Sequence, residues 1–453
     1  MKIESVKYSA VKNSVWRFDP SFHLSEAVYV HQLLEKSPYK MSKVDCCSDR
    51  VFLGNIFSRN FVKDKEHGVP YLAASDTVLS DINTGAFLSK RQANELSYLM
   101  LEKDWILVTC SGTVGNVTYT NKCFENHIAT HDLIRIVPND KIVKRGCLYA
   151  YLSSKFGHCL LTQSEFGGVV KHINDEYVRN VPIPQFPTKF QEKVDNLIKE
   201  SARLREEATE YLNEAKNKVK KALTEISCEK KNSSVSIRDI SRSYTKRLEA
   251  SYFISENRNV LDSLLEKYKC QTLDDWTERI FRPGIFKRDY VKNGVRFLGG
   301  ADIMMAIPSS GKMLSFKQVS QMPELQIQKN WILATCGGTI GNVVYVDSHL
   351  EKSVISQHVI RIVPKKDVKQ GFLFAFLNSE IGYKLITLFS FGSVIPQVEP
   401  HHLKRILVPT LKEKIVEEID SLVQQYAEKI DISKRKELQA ISLVEKEIDG
   451  WNA

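Results

Sequence analysis

Asp104-Trp105-Ile106-Leu107-Val108-Thr109-Cys110-Ser111-Gly112-Thr113-Val114-Gly115-Asn116-Val117 returns later in the same chain as Asn330-Trp331-Ile332-Leu333-Ala334-Thr335-Cys336-Gly337-Gly338-Thr339-Ile340-Gly341-Asn342-Val343. The match runs without a gap, and chance does not produce one of this length. A chain built from two similar halves most simply presents two similar surfaces.

The repetition extends outward in both directions. Tyr71-Leu72-Ala73-Ala74-Ser75-Asp76 pairs with Phe297-Leu298-Gly299-Gly300-Ala301-Asp302, and Ile134-Arg135-Ile136-Val137-Pro138 with Ile360-Arg361-Ile362-Val363-Pro364. Gly146–Leu152 pairs with Gly371–Leu377, Phe166–Val169 with Phe391–Val394, and Ile183-Pro184 with Val408-Pro409. Near the start of each half, Arg17–Phe22 echoes Arg247–Tyr252. The period far exceeds the roughly 20–50 residues of solenoid units, so this is a domain duplication.

At 453 residues, each half is long enough to bury its own core. The 43% hydrophobic and 26% charged content is that of an ordinary globular chain. No apolar run approaches the ~20 residues of a membrane span, and Met1–Ser5 lacks a signal-peptide core. Nine scattered cysteines without a C-x-x-C pair indicate neither a zinc site nor a disulfide framework. Cys110 and Cys336, at equivalent positions in apolar runs, read as small buried hydrophobes, and reduced thiols point to the cytoplasm. The net charge of +10 permits a polyanionic partner without demanding one.

Two stretches differ in texture. From Thr188 to about Ser227, Val194, Leu197, Leu204, Ala208, Tyr211, Ala215 and Ala222 recur at three- and four-residue steps or their multiples, with no Pro or Gly among them. From Leu411 to about Ile448, Ile415, Ile419, Leu422, Tyr426, Leu438, Ile441 and Val444 do the same. Both patterns predict long helices with an apolar seam. About 40 helical residues span about 60 Å, which suits an antiparallel pair acting as a spacer between globular parts. Between these helices, strand-like runs at Trp105–Cys110, Asn116–Tyr119 and Leu133–Val137 recur at Trp331–Cys336, Asn342–Val346 and Val359–Val363. Helical patterns lie near Leu148–Leu161 and Leu373–Leu388. The expected fold is mixed α/β: two similar globular domains, two long helices and an internal pseudo-twofold duplication.

The Ser111-Gly112-Thr113-Val114-Gly115 and Gly337-Gly338-Thr339-Ile340-Gly341 loops fit neither a P-loop nor a dinucleotide-binding turn, because a second strand-like run follows each. They read as strand-to-strand turns needing positive φ. Their main-chain N–H groups and the Ser111, Thr113 and Thr339 hydroxyls are compatible with nucleic-acid backbone contact. In the second loop pair, Lys171, His172 and Gln397 can donate to phosphates or base edges. Basic residues gather in segments where the halves differ most: Arg59, Lys63, Lys65, Lys90 and Arg91, then Arg279, Arg282, Lys287, Arg288, Lys292, Arg296 and Lys317. Phe57, Phe61, Phe281, Phe286 and Tyr290 are interleaved with them. Asp19-Pro20-Ser21-Phe22 superficially matches the D-P-P-F motif of amino-methyltransferases, but its duplicate reads Glu249-Ala250-Ser251-Tyr252 and no Gly-rich cofactor strand accompanies either. No nucleophile–base–acid set, metal cluster or nuclease-like acidic pair stands out.

Together these motifs resemble the specificity subunit of type I restriction–modification systems. Arg17–Phe22 and Arg247–Tyr252 resemble that family's R-L-D-A-x-Y start. Trp105–Asn116 and Trp331–Asn342 resemble its D-I-L-x-S-x-x-G-T-I-G-K segment, with Asn116 and Asn342 in place of the lysine. Val181–Val194 and Ile406–Ile415 resemble its I-P-x-P-x-L-x-E-Q ending, the E-Q pair being Phe190-Gln191 and Glu413-Lys414.

The resemblance implies target-recognition domains at 1–187 and 233–410, with long helices at 188–232 and 411–453 that space them and dock partners. It implies a non-catalytic subunit that reads a bipartite asymmetric target in double-stranded DNA. Adenine methyltransferase subunits would bind S-adenosylmethionine, with no cofactor in this chain. An endonuclease–translocase subunit is a further implied partner. Seam residues Val194, Leu197, Leu204, Ala208, Tyr211, Ala215, Ile415, Ile419, Leu422 and Tyr426 are the expected pairing and docking surface. Rival readings are a phosphate-loop enzyme, a helical scaffold that never touches DNA, and a specificity subunit of a related phage-defence complex.

Overall fold

The computed structural model describes residues 5–6, 8–13, 17–165, 171–226, 235–242, 248, 252–253, 255–392 and 394–452. The Phe166–Val169 loop, most of Arg247–Tyr252 and Ser393 lie outside the described residues. The chain divides into two compact units, one of residues 1–206 with 432–453, the other of 207–431.

The quoted stretch forms the centre of each unit's main sheet. In the first unit Ser48–Phe52, Leu133–Pro138, Ile106–Thr109 and Val117–Tyr119 lie side by side in that order, all antiparallel. In the second, Thr277–Phe281, Val359–Pro364, Ile332–Gly337 and Thr339–Tyr345 repeat the order. Register repeats too: Arg135 faces Phe52 and Leu107, while Arg361 faces Phe281 and Leu333. Entry into the central strand is set locally. Asp104 (φ 66°) and Asn330 (φ 70°) occupy the left-handed region, which Asp and Asn tolerate better than branched residues.

The two helical patterns of each half are broken at one serine. Ser154 ends Arg145–Ser153, and its hydroxyl caps Lys155–Gln163. Ser379 caps Glu380–Leu388 after Gln370–Leu377 in the same way. These helices cover one face of each sheet and build the cores around Leu148, Tyr151 and Leu160, and around Phe372, Phe376 and Leu385. A smaller sheet flanks each main one. In the first unit Gly68–Leu72 runs parallel to Ile128–Ala129; in the second Tyr290–Leu298 runs parallel to Val354–Ile355.

The long helices span Thr188–Ala222 and Glu413–Asp449. Each begins after a short proline-bearing strand, Pro182–Pro184 paired with Met41–Lys43 and Leu407–Pro409 paired with Cys270–Thr272. One carboxylate on each helix anchors its own unit. Asp195 Oδ1 accepts the Gly146 N–H (2.8 Å), and Asp420 Oδ1 accepts the Gly371 N–H (2.7 Å). Both amides belong to the exposed-donor first turn of a helix, where a carboxylate is favoured.

Within each unit the helices run antiparallel. In the first, Ser201 and Ser433 hydroxyls meet at 2.9 Å, and Arg205 reaches Glu437 at 2.6 Å. In the second, Lys218 reaches Glu418 at 2.7 Å and Lys429 reaches Glu207 at 2.5 Å. Val194, Leu204, Ala208, Ala215, Ile419 and Leu422 are buried, and Leu197, Tyr211, Ile415 and Tyr426 pack partly buried against the cores. The seam is thus consumed inside the chain. Its fully buried members have no free surface for a partner subunit, which would have to meet other helix faces.

Candidate nucleic-acid interface

One surface recurs in both units, at the end of the main sheet where the Gly-Thr turn lies. Gly112 (φ 72°) and Gly115 (φ 84°) make the first turn, and Gly338 (75°) and Gly341 (87°) the second. A Cβ on Gly115 would sit 2.8 Å from the Thr162 methyl, and one on Gly341 would sit 2.9 Å from the Tyr383 ring. Positive φ and close approach both require glycine there. Thr109 and Thr335, on the preceding strands, hold each turn closed by accepting the Asn116 and Asn342 N–H groups at 3.0 and 3.2 Å. Strand follows strand at both turns, so neither places a helix N-terminus against a phosphate.

The loop bearing Lys171 and His172 packs beside the first turn, and the loop bearing Gln397 beside the second. Gly112 N–H donates to the Lys171 carbonyl and Gly338 N–H to that of Pro396, each at 3.1 Å. Lys171, Thr113 and Thr339 are exposed. His172 and Gln397 are half-buried and take equivalent places, one bridging Ser111 and the other Gly337.

In the first unit Ser111 Oγ donates to Asp132 Oδ1 (2.9 Å) and lies 3.0 Å from His172 Nδ1. A Ser-His-Asp group is therefore present that spacing along the chain did not reveal. Its order differs from a hydrolase relay, in which histidine lies between acid and serine. Here serine lies in the middle, donating its proton to the carboxylate with the imidazole on its other side, so histidine does not stand between acid and serine as that relay requires. In the second unit the equivalent positions hold Gly337, His358 and Gln397. The frame is shared and the polar side chains on it differ.

Two buried arginines fix the strand ends beneath this surface. Arg135 donates to the Leu133 (2.9 Å), Ala129 (2.9 Å) and Thr130 (3.1 Å) carbonyls; Arg361 donates to those of Val359 (2.6 Å), Ser356 (2.8 Å) and Ile355. Burial pulls both guanidinium groups down to about 10, so they stay charged at neutral pH. Cys110 and Cys336, beside the turns, are pushed up to about 11 chiefly by burial and remain inert thiols.

The basic segments are less divergent than their sequence suggests. Phe52 and Phe281 hold the same strand position, each beneath an arginine, Arg50 at 4.0 Å and Arg279 at 3.9 Å. From there Ile56-Phe57-Ser58-Arg59-Asn60-Phe61 aligns without a gap with Ile285-Phe286-Lys287-Arg288-Asp289-Tyr290, the Ile, Phe and Arg being identical and Phe61 answered by Tyr290. Arg59 donates to the Tyr71 hydroxyl (2.6 Å) and to Thr130 (3.1 Å); Arg288 reaches Gln357 (3.4 Å) and lies over Phe297. A glutamine clamps each loop. Gln92 accepts the Asn60 N–H (2.9 Å) and donates to the Ser58 carbonyl (2.5 Å). Gln318 accepts the Asp289 N–H (3.0 Å) and donates to the Lys287 carbonyl (2.7 Å). The exposed Lys90, Arg91 and Lys317 ride on these clamp helices, Lys90–Glu95 and Phe316–Gln321.

The remaining basic candidates are placed differently. Lys63 and Lys65 lie in a turn after Phe61 that has no full counterpart before Gly294. Arg282 is held by Glu399, with Nε to Oε2 at 2.9 Å, and Arg296 by Ser353 and the His349 carbonyl at 2.7 and 2.8 Å. Arg282 thus has its charge paired, and Arg296 has its donors engaged, inside the second unit. Among the described residues, no group of three or more His, Cys, Asp or Glu side chains is arranged to hold a metal ion. No helix among them is long and apolar enough to cross a membrane.

A duplicated sheet framework that carries the same cationic, aromatic and glycine turns twice, with different polar side chains between them, defines a two-domain recognition protein. The family model described as "Type I restriction modification DNA specificity domain" matches residues 51–239 and 301–443, well over half of the chain, and the protein belongs to that family. Among solved structures, the S subunit of a type I restriction–modification system from M. genitalium is similar at 12% identity. That similarity covers 91% of this chain and 96% of that one, with a TM-score of 0.35. The HsdS subunit from Thermoanaerobacter tengcongensis is similar at 13% identity over 91% and 97% of the two chains, with a TM-score of 0.29. A search of curated proteins finds no match.

Proposed function

We propose that this chain chooses the DNA sequence for a type I restriction–modification complex and leaves the chemistry to its partners. The observation that supports this is the twice-built surface with exchanged side chains: Ser111, Asp132 and His172 on one frame, Gly337, His358 and Gln397 on the other. Equal frames with unequal polar groups are what reading two different half-sites requires. Each unit reads one half of a bipartite asymmetric target from the major groove. Lys171, Lys90, Arg91, Lys287 and Lys317 supply phosphate contacts, so binding falls steeply with salt. The long helices set the unread spacer, and their outward faces dock adenine methyltransferase subunits, which hold S-adenosylmethionine and extrude the target base. An endonuclease–translocase subunit completes the assembly.

The test is a domain exchange. Replacing residues 20–185 with those of a homologous domain should change one half of the target only; a change in both halves, or in neither, refutes modular readout. Deleting one heptad from each long helix should shorten the accepted spacer, and an unaltered spacer refutes the ruler.

A further inference from the structure

Ile56 is 86% exposed and Ile285 is 91% exposed. A single exposed isoleucine on a surface loop needs no explanation. These two occupy the same place in two copies of one framework, retained with Phe57/Phe286 and Arg59/Arg288, which pack or bond inside each unit, while the other exposed positions differ: Asn55 against Gly284, Ser58 against Lys287 and Asn60 against Asp289. Both loops are also held rigid from the same sides. Gln92 and Gln318 clamp the main chain, and Arg59 and Arg288 tie each loop to the segment after the short parallel strand, at Thr130 and Gln357. Phe57 packs edge-on to His131, next to Asp132, so the loop that carries Ile56 abuts the segment that supplies Asp132 to the reading surface. A side chain left in water at a fixed position in both copies points to an apolar contact made by both.

The surroundings select the kind of contact. Lys287, Arg288 and Lys317 near Ile285, and Arg59, Lys90 and Arg91 near Ile56, favour a polyanion over an apolar protein face. On duplex DNA the apolar group that faces a major-groove reader is the thymine C5-methyl. We propose that Ile56 and Ile285 each contact a thymine methyl, one in each half-site, and so determine specificity by shape where the polar groups determine it by hydrogen bonds. A β-branched side chain suits this role because few rotamers are lost on contact. The inference rests on the DNA-reading function proposed above.

The experiment uses the full chain assembled with its methyltransferase subunits and a target selected from random duplexes. Thymines are then replaced singly by deoxyuridine, which removes the methyl and nothing else. Wild type should lose about fourfold in affinity at one position in each half. Ile56→Ala should abolish that sensitivity in one half and Ile285→Ala in the other, with unchanged thermal melting because both side chains are exposed. No deoxyuridine effect in wild type, or sensitivity unchanged in the variants, overturns the proposal. Weakened binding that ignores deoxyuridine but loses a DNA bend would assign the residues as wedges and likewise overturns it. A wild-type complex without any sequence preference would instead defeat the underlying DNA-reading function, and this inference with it.

Discussion

Replacing Arg135 with methionine tests whether the buried arginines hold the reading surface in place. Arg135 is fully buried, and its hydrogen bonds run to the Leu133, Ala129 and Thr130 carbonyls. Methionine fills most of the space and satisfies none of these acceptors. Three buried carbonyls left without donors cost about 1–3 kcal/mol each. Removing a buried charge returns several kcal/mol of desolvation, the more so because Nε is buried without a partner. The acceptor loss should win by about 2–4 kcal/mol, concentrated in the 129–133 segment rather than spread through the unit. Amide hydrogen exchange is the fitting assay, since a chain of two units need not unfold in one step. The Thr130 amide, which donates to Leu72, should exchange at least about tenfold faster in Arg135→Met. Amides at 356–360 should not change, and Arg361→Met should show the reverse. Target selectivity should degrade in one half only for each variant. Wild-type exchange at 129–133 together with an unaltered target would refute the clamp.

The remaining predictions concern the turns, the helix anchor and the thiols. Gly115→Ala and Gly341→Ala force a side chain into positive φ against Thr162 or Tyr383, and each should cost about 1–3 kcal/mol in urea denaturation. Glu437 accepts from Tyr149 (2.5 Å) and Arg205 (2.6 Å) inside the first unit. Glu437→Ala strands both donors and should cost about 3–5 kcal/mol, while Glu437→Gln, which keeps the shape, should cost less. Cys110 and Cys336 have folded values of about 11 against an ordinary 9.0, so their contribution is intact below pH 9 and stability falls as pH rises through about 11. Thiol-reagent labelling of the native chain at neutral pH should therefore leave both unmodified, and rapid labelling would contradict their burial.

What the sequence by itself determined is everything carried by local pattern. The gapless return of Trp105–Val117 as Trp331–Val343 establishes the duplication, and the strands and positive-φ turns follow from residues adjacent in the chain. The seams of the two long helices are equally legible, because a three- and four-residue rhythm needs no knowledge of the partner face. Tertiary structure alone decided the assignments that depend on where the chain returns. Ser111, Asp132 and His172 meet only because strand pairing and a loop bring distant segments to one sheet end. Arg135 and Arg361, polar residues inside apolar strands, acquire their role from main-chain oxygens that no side-chain motif announces. The kinship of Ile56–Phe61 with Ile285–Tyr290 was hidden by a shift in register. Phe52 aligns with Phe281, but Tyr71 aligns with Phe297, so the first unit accommodates extra residues around Lys63–His67. A loop tolerates such an insertion where the sheet does not, because a slip within a strand would turn every side chain to the opposite face.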